Sequence, residues 1–110
     1  MAGNAERGAS DAVRAIWKAN RGEIDARIDA IDRAVESFGS PGGPDPGILS
    51  AAIDHAHKLA GTAGTFGFPE GGRLARQIET ELESGQAAER RERIGELARE
   101  LRAELSGDPA

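Results

Sequence analysis

Few residues in this chain could do chemistry at neutral pH. Its only histidines, His55 and His57, lie in the stretch 55-HAHKLAGTAGTFGF-68, followed by Gly61, Gly64 and Gly67, and the chain has no cysteine. A neutral imidazole offers a ring nitrogen that serves as a nucleophile or as a metal ligand. Two histidines two residues apart on a helix point to different flanks and cannot close on one ion. The positions four residues after them are Leu59 and Gly61, which add no ligand, so no metal site is expected. The glycine-rich run AGTAGTFG lacks a GK[ST] ending, a G-x-G-x-x-G spacing and a preceding strand, which argues against a nucleotide phosphate loop.

Winding residues 46 to 66 at about 100° per residue turns Leu49, Ile53, Ala56 and Ala60 toward a core and sets His57 and His55 on opposite flanks. Gly61 and Gly64 continue the flank of His57, whereas His55 looks toward Leu59 and Thr62. A glycine inside a helix costs about 1 kcal/mol against alanine, so two of them call for a compensating reason. Close packing against another helix is one. A surface cleared of side chains, so that a partner's backbone or a phosphoryl group can reach the imidazole, is the other.

The elements that hold this stretch follow from apolar spacing. Ser10-Asp11 offers a cap to a short helix with Val13, Ile16 and Trp17 on one face. From Glu23 onward, Ile24, Ile28, Ile31, Val35 and Phe38 recur at helical spacing until the loop 39-GSPGGPDPG-47. Asp45-Pro46 caps and starts the histidine helix, whose stripe is Leu49, Ala52, Ile53, Ala56, Leu59, Ala60 and Ala63. Gly67-Phe68-Pro69 closes it and opens a helix that turns Leu74, Ile78 and Leu82 inward, weakened at its start by Gly71-Gly72. A last helix is expected from about Ala87 to Leu105, with Ile94, Leu97, Leu101 and Leu105 as its stripe.

No segment alternates with period two, and four one-sided helices can hide their stripes together only as a bundle. The expectation is an all-α, antiparallel four-helix bundle with the short N-terminal helix across one end, its indole closing the core there. The 110 residues suit a single domain, with a disordered lead over 1–9 and a tail over 106–110. A net charge of −5 without a separate basic block argues against nucleic acid, and no apolar run approaches a membrane span. The first residues lack an apolar signal core, so a cytoplasmic location is expected, and the chain is separately expected to be a monomer.

The run His57-Lys58-Leu59-Ala60-Gly61-Thr62-Ala63-Gly64-Thr65-Phe66-Gly67 resembles the phosphoacceptor signature of histidine-containing phosphotransfer (HPt) domains. In that signature an acceptor His is followed by x-x-Lys-Gly-Ser/Thr and, about ten positions on, by Gly. The continuation 73-RLARQIETEL-82 resembles the family's next helix, and the likeness covers about residues 45–85. It implies a four-helix bundle whose acceptor, here His57, takes a phosphoryl group from a sensor kinase or a receiver aspartate and passes it to another receiver. It implies a phosphocarrier without an ATP site or cofactor, Mg2+ belonging to the partner receiver. His55 matches no functional position and is expected to be an ordinary surface residue.

In relatives a Gln or Glu 22 positions after the acceptor orients the imidazole, which implies that role for Glu79. A solvated surface carboxylate is the competing reading. One departure stands out: the family's usual Lys, three positions after the acceptor, is Ala60 here. Lys58 or Arg76 could supply the missing charge, though each also reads as a solvated charge. The resemblance thus sets a phosphorelay carrier first and a docking domain of the same fold, which binds a receiver or kinase without taking phosphate, second. A plain bundle that dimerises through its Ile-rich helix is a third reading.

Overall fold

The computed structural model describes residues 11–107. The expected lead over 1–9, the cap at Ser10 and the last residues of the tail lie outside them. Among the described residues five helices follow one another, α1 (Asp11–Ala19), α2 (Arg21–Ser37), α3 (Pro46–Thr65), α4 (Pro69–Glu83) and α5 (Arg91–Leu105), and no strand occurs. α2 packs on α3, α3 on α4, α4 on α5 and α5 back on α2, closing the expected all-α bundle. Ile24, Ile28, Ile31, Leu59, Leu74, Ile78, Leu82, Ile94, Leu97, Leu101 and Leu105 meet in one core. The Ile stripe of α2 is therefore spent inside its own bundle, which removes the basis for dimerisation through that helix.

The histidine helix is held at both ends by local chemistry. At its start Asp45 is extended and its carboxylate accepts from the Gly47 and Ile48 amides, at 2.7 and 3.4 Å, with Pro46 in the first turn. At its end Gly67 adopts φ +85°, a left-handed conformation in which glycine is unstrained. The Phe68 N–H then bonds back to the Ala63 carbonyl at 2.8 Å and the Gly67 N–H to that of Gly64 at 3.3 Å, a Schellman closure. Phe68, carried inward by this turn, lies 4.6 Å from the Trp17 ring, and Phe66 lies 5.2 Å from it.

Those ring contacts bury Trp17 and let the indole cover that end of the core. Ile16, expected on the same inward face, is instead 52% exposed, because α1 meets the bundle through the indole rather than along its length. α5 begins at Arg91, later than the expected Ala87. Gly85, at φ +77°, breaks the path out of α4. Residues 87–90 form a turn in which Arg90 donates to both Glu81 carboxylate oxygens at 3.1 Å.

Small residues set how closely α3 and α4 approach. The inner face of α3 is largely alanine, with Ala52, Ala56, Ala60 and Ala63 all buried. A Cβ placed on Gly72 would stand 3.5 Å from the Ala60 carbonyl oxygen and 3.8 Å from the Gly64 nitrogen, so α4 rests there on the backbone of α3. A Cβ on Gly71 would come within 2.8 Å of a Leu105 methyl and 3.3 Å of the Phe68 Cβ. Gly71→Val should therefore overpack this junction and lower stability by about 1–3 kcal/mol, measurable as a fall in the urea midpoint at unchanged slope.

Candidate functional site

His57 projects from the outer flank of α3 that faces α4. Its Nδ1 lies 2.9 Å from Oε2 of Glu79, with the imidazole side chain 73% exposed and the carboxylate 19% exposed. The register between the helices explains the pairing. Gly72 of α4 rests beside Ala60 and Gly64 of α3, and two turns along α4 reach Glu79 just as two turns back along α3 reach His57. A carboxylate can only accept, so Nδ1 is the donor in this contact, and in a neutral ring the lone pair then lies on Nε2.

A recess of about 410 Å³ opens beside the ring, lined by His57, Ala60, Gly61, Arg76, Glu79 and Glu83. Of the residues singled out in the sequence, His57, Gly61, Arg76 and Glu79 thus come together. Lys58 does not: its ammonium pairs with Asp54 at 2.9 Å on the exposed surface of α3 and takes no part in lining the recess. Gly64 lies a turn beyond the recess. A Cβ on Gly61 or Gly64 would meet nothing within 4 Å, so close helix packing does not account for either glycine. The packing glycines are Gly71 and Gly72, in which the sequence pattern showed only a weakened helix start.

Glu83 was missed as a lining residue. Its spacing of four from Glu79 places both on one face of α4, and that was the available signal. Among the described residues no cluster of three or more potential ligands could hold a metal ion.

His55 behaves differently from the surface residue expected. It is half-buried, and its Nδ1 accepts from Nη1 of Arg27 on α2 at 3.2 Å, while Arg27 also pairs with Glu23 at 2.6 Å. Its neighbour across the helices is a guanidinium, a contact that spacing along its own helix does not reveal. Burial, then the charge of Arg27, hold the imidazole below its ordinary value of 6.5. Lys58 and Arg33 act in the same direction and Asp54 opposes them.

The Hpt domain family model matches residues 16–107, from the end of α1 through α5. No curated protein and no solved structure matches the chain.

Two measurements probe this geometry. Because His55 binds its proton more weakly folded than unfolded, its contribution to stability is present above pH 6.5 and is lost as pH falls through the lower folded value. Wild type should therefore lose more stability between neutral and mildly acidic pH than His55→Gln does, as read from paired urea titrations. Gly61→Ala, in open space, should raise stability by about 1 kcal/mol, seen as a higher urea midpoint.

Proposed function

The chain belongs to the Hpt domain family, and from that premise we propose that it is a phosphorelay carrier that holds a phosphoryl group on Nε2 of His57. The observation that carries this reading is the bond between Nδ1 of His57 and Glu79. It supports a proton on one ring nitrogen and a free lone pair on the other, on a side chain exposed enough for a second protein to reach. The open surface at Gly61 gives that protein's backbone room beside the ring.

The step is a displacement at phosphorus. The Nε2 lone pair forms the N–P bond as the P–O bond of a receiver's aspartyl phosphate breaks, and the bonding electrons leave with the aspartate carboxylate. No proton has to depart. The ring becomes a phosphoimidazolium whose Nδ1–H still donates to Glu79, so the carboxylate offsets the positive charge that develops on the ring. Transfer onward reverses these events at another receiver. Such transfer depends chiefly on positioning and charge neutralisation, and the divalent ion belongs to the receiver's acidic pocket.

Incubation with a phosphorylated receiver or a sensor kinase should give acid-labile, alkali-stable label on wild type and on His55→Gln, and none on His57→Gln. Label that survives His57→Gln but not His55→Gln would refute the assignment. Receiver binding without any label would instead identify a docking domain, the reading favoured by Ala60 in place of a lysine.

A further inference from the structure

A phosphoryl group on Nε2 brings about two negative charges at neutral pH into a recess that already holds two carboxylates, Glu79 and Glu83. Glu79 is engaged with the ring, but Glu83 has no ion-pair partner among the described residues. Something positive must stand nearby, or the phosphorylated form is opposed by its own pocket. α3 offers nothing. Ala60 is 5% exposed and has no charge, and the Lys58 ammonium is paired with Asp54 away from the recess.

Arg76 is the one cation lining the recess, and among the described residues its guanidinium makes no ion pair or hydrogen bond. The register that sets Glu79 beside His57 sets Arg76, one turn earlier on α4, level with Ala60. Arg76, Glu79 and Glu83 share one face of α4 at spacings of three and four. We propose that Arg76 is the residue that neutralises the phosphoryl group on His57, its planar fork taking two of the phosphoryl oxygens, so that the cation absent from α3 is supplied across the interface by α4. This rests on the phosphoacceptor reading of His57. Two parallel N–H donors suit two phosphoryl oxygens, and Glu83 acts against them by like-charge repulsion.

Phosphoramidate, a small donor that needs no partner protein, isolates this effect: its N–P bond breaks, ammonia leaves and His57 gains the phosphoryl group. Initial rates of phosphohistidine formation would be compared on the full chain for wild type, Arg76→Ala, Arg76→Lys and Glu83→Gln. At low ionic strength Arg76→Ala should be about two- to fivefold slower, the scale of one exposed charge pair. Arg76→Lys should recover much of the loss, and Glu83→Gln should exceed wild type.

In about 1 M salt, where the screening length is about 3 Å, these differences should close. Equal rates for Arg76→Ala and wild type at low salt would overturn the role of Arg76 alone. So would a deficit that lysine does not recover and salt does not reduce. Failure of wild type to label at all would overturn the phosphoacceptor reading itself.

Discussion

α4 lies against the backbone of α3 at Gly72, where a Cβ would already be in van der Waals contact with the Ala60 carbonyl oxygen and the Gly64 nitrogen. That contact sets both the distance and the register between the two helices, and the site is a consequence of it. Two turns away the same register brings a glutamate to an imidazole, and one turn away it sets an arginine level with an alanine. The buried alanines of α3 serve the same end, because larger side chains on that face would hold the helices apart and lengthen the His57–Glu79 bond.

A single hydrogen bond from an exposed imidazole is a weak restraint by itself. Its value here comes from the stiffness of what it joins. α3 is anchored by the Asp45 cap at one end and by the Gly67 closure at the other, where Phe68 locks against Trp17. α5 closes the ring of helices, and Arg102 ties it to Asp29 and Asp32 of α2 at 2.9 Å each. The imidazole thus stands on a scaffold whose own packing has already fixed where the ring sits, which in the proposed carrier role would lower the ordering cost of transfer.

The two histidines differ because of what stands across from them. His57 faces a carboxylate, which accepts a hydrogen bond from its Nδ1–H. His55 faces a guanidinium, which donates to Nδ1 and suits a neutral ring held at the α2–α3 contact. Two residues along one helix separate an exposed imidazole from one used in packing, because a helix turns about 200° over two residues.

The recurring apolar positions Ile24, Ile28 and Ile31, the Asp45-Pro46 start and the Gly67 stop were enough to define a helical bundle, since propensity, capping and periodicity are local properties. The signature from His57 to Gly67 likewise marked one histidine over the other. What the chain alone left open depends on neighbours remote in sequence. Whether Gly61 or Gly72 was the packing glycine, whether Lys58 or Arg76 stood in the recess, and whether Ile16 was covered were decided only when the helices docked. A side chain's position on its own helix follows from its number. Its opposite partner follows from interhelical register, which the small residues at the α3–α4 contact set through the distance they allow.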